Sequence, residues 1–153
     1  MSSRREFLKR TLAGSATAAL PAVSPAKSAG EIGKFLTGAE MAFVRAWVDH
    51  MIPADVLSPK GTDLDVHEYI DGALDGPWGK GAGMYLDGPW KRGTTSQGYQ
   101  LPYNRAQFIR AGIEATDAYC GKTYGKPFAA LTAARREELL RGLDQFEVKF
   151  EDN

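Results

Sequence analysis

The run "TGAEMAFVRAWVDHMIP" (Thr37–Pro53) sets the class of fold. Thr37-Gly38-Ala39-Glu40 has the form of a capping box. In that motif the threonine hydroxyl and the glutamate carboxylate each take up an amide that the start of a helix would otherwise leave unpaired. Behind it, Val44, Trp47, Val48 and Met51 recur at i, i+3, i+4 and i+7, which is one face of a helix. Pro53 lacks the amide needed to continue it. The pattern predicts a helix reaching Met51 with those four side chains inward.

The same signals return downstream. Asp65, with Glu68 three residues on, begins a second helix whose apolar stripe is Val66, Tyr69, Ile70, Ala73 and Leu74, and Gly76-Pro77 stops it. Asn104 and Gln107 cap a third, carried by Phe108, Ile109, Ile113, Thr116 and Cys120 and closed by Gly121. After the connector "GKTYGKPFAAL", Thr132 caps a fourth, with Leu139, Leu140, Leu143 and Phe146 inward and Arg135, Arg136, Glu137 and Glu138 outward. No segment alternates as a strand would. The expectation is a mostly α protein: a small helical domain of about four helices, residues 37–153, interrupted by a long loop rich in glycine and aromatics.

The chain has 153 residues with 19 basic and 19 acidic side chains. Residues 1–26 hold four of the basic groups and one of the acidic ones, which leaves 15 against 18, a net charge of −3, for the rest. A mildly acidic body does not suit nucleic acid, whose binders show a basic excess. One cysteine, Cys120, permits no internal disulfide, and two separated histidines make a structural zinc site a poor fit.

The N-terminus is an address. Ser3-Arg4-Arg5-Glu6-Phe7-Leu8-Lys9 fits the twin-arginine export pattern S-R-R-x-F-L-K, with Arg4, Arg5, Phe7, Leu8 and Lys9 as its signal residues. The stretch Thr11–Val23 is only weakly apolar and is broken by Pro21, so it falls short of a membrane span. Ser24-Pro25-Ala26 places small residues for cleavage after Ala26, leaving 27–36 as a linker. The twin-arginine route carries folded proteins, often with a cofactor in place, and so directs attention to a cofactor site. The expected location is periplasmic.

No such site is legible. Gly79-Lys80-Gly81 begins a dinucleotide fingerprint, but position 84 is Met and no strand precedes it. There is no G-x-S-x-G elbow and no H-E-x-x-H helix. His50 and His67 read as surface or capping residues, Asp71 and Asp75 as a solvated pair at i, i+4, and Cys120 as a packed residue. Catalytic, cofactor-binding and metal-binding residues are therefore assigned as none.

The loop does hold aromatic residues. Asp-Gly-Pro-Trp occurs at Asp75–Trp78 and again at Asp87–Trp90, good turn chemistry that would present two indoles. Trp78, Tyr85, Trp90, Gln97, Tyr99 and Tyr103 are the candidates for contact with a partner, because aromatic side chains dominate the energetics of protein interfaces. They could instead complete the domain's own core.

"DHMIPAD" (Asp49–Asp55), "YIDGALDG" (Tyr69–Gly76), "DGPWKRGTTSQGYQ" (Asp87–Gln100), "FIRAGIEATDAYC" (Phe108–Cys120) and "GKPFAAL" (Gly125–Leu131) together resemble the gluconate 2-dehydrogenase subunit 3 family, from about Leu36 to Phe146. The resemblance implies a non-catalytic small subunit. Its partner would be a large flavoprotein of the glucose–methanol–choline type that holds FAD, often joined by a multihaem cytochrome c subunit. The small chain would carry the export signal and help the large one mature, and membrane association would come only through the complex. The family pattern continues past this point into a T-x-E-G-like stretch and an aromatic Asp-Pro-x-Tyr-Gly-Gly segment, so the expectation is either a protein shortened at its C-terminus or a fragment of a longer one. The competing expectation is an autonomous periplasmic sugar-binding protein or enzyme, in which the same aromatics stack on a sugar ring while Asp87 or Gln97 bonds its hydroxyls.

Overall fold

A computed structural model describes residues 32–150 except 92, 95 and 99. The export signal, the N-terminal part of the linker and Tyr99 lie outside the described residues. Within them are four α-helices and a short 3-10 turn, with no strand: α1 Gly38–Met51, α2 Val66–Asp75, α3 Arg105–Tyr124, the 3-10 turn Phe128–Ala130, and α4 Ala133–Asp144.

Local chemistry sets most of the helix ends. Thr37 and Glu40 form the reciprocal capping box at α1, and Asn104 and Gln107 form another at α3. The Thr132 hydroxyl accepts from the amide of Arg135 at α4. Asp65 precedes α2 in the left-handed region (φ 55°) and its side chain caps nothing. Gly121 does not close α3. The helix runs one turn further and ends at Gly125, whose φ of 67° is the left-handed cap that glycine adopts without a Cβ penalty.

Helix α1 touches α2, α3, α4 and the 3-10 turn, so it is the spine of the domain. Its buried face is Met41, Phe43, Val44 and Val48. Phe43 stacks on Phe128 with ring centroids 4.5 Å apart, and Leu36, Leu74, Ile113, Cys120 and Leu139 close around them. The inward face differs in sector from the one read off the periodicity: Val44 and Val48 are buried, whereas Trp47 and Met51 are exposed. On α2 the buried set is His67, Asp71 and Leu74, at i, i+4 and i+7, while Tyr69 faces out. On α4 Phe146 is exposed, and Arg136 turns inward to donate to the carbonyls of Ala46, Phe128 and Ala129. Arg136 thereby ties α4 to α1 and to the 3-10 turn.

The segment after α4 folds back. The amides of Glu147 and Val148 both donate to Gly142 O, and Phe150 meets Tyr119 edge-on at 6.5 Å.

Candidate interaction surface

Between α2 and α3 the described residues form turns and irregular chain, and this is where the aromatic candidates sit. The two Asp-Gly-Pro-Trp copies do different work. In the first, Gly76 ends α2 by donating to Gly72 O, and the chain turns at once through residues 77–83. Gly79 is pressed against the backbone of Leu74, leaving no space for a Cβ, and its carbonyl accepts from the amide of Ala106 at the start of α3. Arg105 fixes this turn from above: it donates to Trp78 O and Ala82 O, and its guanidinium lies 5.1 Å from the Trp78 ring centre. Trp78 is thus half-exposed but held in place by a cation–π stack.

The second copy, with a cis Gly88–Pro89 bond, lines an open groove of about 420 Å³. Tyr85, Leu86, Asp87, Trp90, Gln100 and Leu101 are among its walls. Tyr85 is exposed, and the Trp90 indole folds back to lie against Gly88. The groove therefore brings Tyr85 and Trp90 together, while Trp78, Gln97 and Tyr103 are not among its walls. Gln97 serves its own turn: its side-chain carbonyl accepts from the amide of Thr94, whose carbonyl accepts from the amide of Gln97. That engagement turns the Gln97 side chain toward its own turn. Among the described residues the lining carries one carboxylate, Asp87, and no cation. It suits apolar and aromatic contact.

The polar anchors lie elsewhere and were not legible as such. Asp71, read from sequence as solvated, is buried, and its carboxylate accepts from the amides of Lys34, Phe35 and Leu36 at 2.6, 3.0 and 2.8 Å. Gly33 packs directly on the same carboxylate, where a Cβ would collide. Burial would push the Asp71 carboxyl up, but those three amides outweigh it and hold it below the ordinary carboxylate range. Residues 33–36, part of the expected linker, are thereby latched to α2. Arg110 latches them to α3: it pairs with Glu40 at 2.6 Å, donates to Phe35 O, and stacks 4.0 Å from the Phe35 ring centre. Glu40 likewise sits below its ordinary range; burial opposes this, and Arg110 and Thr37 overcome it.

His67 is buried rather than on the surface, and its Nδ1 has no hydrogen-bond partner among the described residues. Desolvation, then the charge of Arg45, hold it below the ordinary histidine value, so it is neutral at pH 7. His50 pairs with Glu137 on α4 at 2.9 Å. Cys120 is fully buried, and burial pushes its thiol to about 11, which suits packing and not nucleophilic attack. Among the described residues no group of three or more His, Cys, Asp or Glu side chains could hold a metal ion. A sequence signal for the Asp71 latch did exist: His67, Asp71 and Leu74 share one helical register, so two polar residues stand on the face of a buried leucine.

Comparison with curated proteins and with solved structures finds no match. The family model described as gluconate 2-dehydrogenase subunit 3 matches residues 38–153, which takes in all four helices, the groove and its flanking turns. The chain belongs to the gluconate 2-dehydrogenase subunit 3 family, and membership implies a multi-subunit dehydrogenase complex.

Proposed function

We propose that the chain is the non-catalytic small subunit of an exported, FAD-dependent dehydrogenase acting on gluconate or a related sugar acid or polyol. FAD and the oxidation chemistry lie in a large glucose–methanol–choline-type subunit, and a cytochrome c subunit receives the electrons. Arg4, Arg5, Phe7, Leu8 and Lys9 direct the assembled pair through the twin-arginine route to the periplasm. Attachment to the inner membrane comes through the complex; among the described residues no helix is long and apolar enough to cross a membrane.

The observation that carries this reading is the uncovered aromatic groove. Among the described residues, Tyr85, Trp90 and Leu101 line a groove that is left open. Indole and phenol rings have few rotors to freeze and bury large areas, so pre-positioned rings of this kind favour tight association. Tightness is needed because the pair crosses the membrane as a unit.

The test is co-expression with the flavoprotein subunit. Replacing Trp90 and Tyr99 together by alanine releases the large subunit from an affinity pull-down on this chain. Recovery equal to wild type would refute the loop as the contact. The chain purified alone is colourless and gives no heat on titration with gluconate; a yellow, flavin-bearing preparation or a saturable isotherm would assign it to an autonomous enzyme or sugar-binding protein instead.

A further inference from the structure

Among the described residues, the most exposed large apolar side chains are not in the aromatic loop. Val56 and Leu57 are 99% and 90% exposed, side by side at the tip of the turn Asp55–Ser58. Such a tip would normally be polar. This one is built rigidly. The amide of Asp55 donates to Ser58 O at 2.9 Å, and the Asp55 carboxylate accepts from the amides of Leu57 and Ser58 at 2.7 and 2.8 Å. The base of the turn is closed by Gly61 N donating to Ile52 O, and by Asp49, which takes the amide of Thr62 and the ammonium of Lys60. These bonds already restrict the backbone freedom that docking would remove, which favours binding.

Charge says what the tip fits. From Asp49 to Glu68 the chain carries five carboxylates, Asp49, Asp55, Asp63, Asp65 and Glu68, and one lysine, which is bound to Asp49. An anionic lipid surface would repel this segment. A second copy of the chain would bring the same acidic segment against itself across a two-fold axis. A protein socket with an apolar floor and a lysine- and arginine-bearing rim complements both features.

We propose that Val56 and Leu57 form a docking knuckle that seats in an apolar, basic-rimmed socket on the flavoprotein subunit of the dehydrogenase complex. The proposal rests on the subunit reading above and adds a second contact, separate in sequence from the aromatic loop.

The experiment uses the full chain co-expressed with the flavoprotein subunit and measures association of the purified partners at two salt concentrations. The turn is exposed and closed by backbone and Asp55, so Val56→Ser/Leu57→Ser leaves urea stability unchanged. It weakens the Kd by roughly 30- to 100-fold, the loss of one interface hot spot. Asp63→Lys slows association several-fold and flattens its salt dependence. A wild-type complex that the double serine variant forms with undiminished affinity overturns the knuckle and leaves the subunit reading standing. Failure of the wild type to bind the flavoprotein overturns both. Sedimentation as a dimer, or flotation with vesicles containing phosphatidylglycerol, abolished in either case by the serine variant, assigns the tip to a second copy or to lipid and overturns the proposal.

Discussion

Replacing Asp71 by alanine removes the acceptor for three amides at once. A hydrogen bond to a charged group contributes roughly 1.5–3 kcal/mol net, and a buried donor left unpaired costs roughly 1–3 kcal/mol. The three contributions do not add in full, because Lys34 and Phe35 are only part-buried and their amides can find water, whereas the bond to Leu36 is buried. The expected loss is about 3–5 kcal/mol, the range seen when one partner of a buried charged arrangement is deleted. At roughly 3 °C per kcal/mol for a chain of this length, the Tm falls by about 10–15 °C. Asp71→Asn keeps one oxygen for Phe35 and Leu36 but turns an NH2 toward the amide of Lys34, donor against donor, so it loses about half as much. The pH dependence follows from the depressed carboxyl. The stability from Asp71 is fully present above the unfolded value of about 3.9 and is lost as pH falls through the lower folded value. Urea unfolding across pH 7 to 2.5 should therefore show a gap between wild type and Asp71→Asn that narrows below about pH 4. Limited proteolysis should also cut N-terminal to Thr37 faster in the alanine variant. A loss under about 0.5 kcal/mol at pH 7, or a gap of constant size down to the lowest pH, would refute the latch.

Cys120 should resist iodoacetamide in the native protein at pH 8 and label fully in urea, because its thiol is buried and pushed to about 11; native labelling at the rate of a free thiol would contradict its packing. Gly79→Ala should destabilise by about 2–4 kcal/mol, since the new methyl meets the backbone of Leu74 and Gly79 cannot shift without breaking its bond to Ala106. Gly98→Ala, at a position with open space around it, is the control and should be neutral by thermal melting. His67 is held neutral by burial and by Arg45. The stability it contributes is full above about pH 6.5 and declines as pH drops through its lower folded value. His67→Gln should flatten the stability profile between about pH 6.5 and 5, and an unchanged slope there would show that another group titrates.

Helix ends were largely legible in the sequence because they depend on groups a few residues apart. Thr37 with Glu40, Asn104 with Gln107 and Thr132 all cap where the letters place them. Gly121 misled, since a glycine within a helix costs little when the next turn can be completed, and Gly125 supplies the left-handed residue that ends it. Which side of each helix faces inward was less legible. Periodicity marked a face, but Trp47, Met51, Tyr69 and Phe146 turned out while Asp71, His67 and Arg136 turned in. The Val56–Leu57 tip lies between α1 and α2, where no helical period marks a face.

The sequence alone therefore determined a helical domain, its four starts, a fully packed Cys120 and, through five ordered motifs, the family. Tertiary structure decided which polar groups are buried. Asp71 becomes an inner residue only because a segment more than thirty positions upstream brings it three amide donors, and Arg136 only because α1 and the 3-10 turn bring it the carbonyls of Ala46 and Ala129. It also decided that Tyr85 and Trp90 share a groove while Gln97 closes its own turn. Burial of a polar group depends on where its partner lies in space; local register can mark the face, as with His67, Asp71 and Leu74, but not the partner.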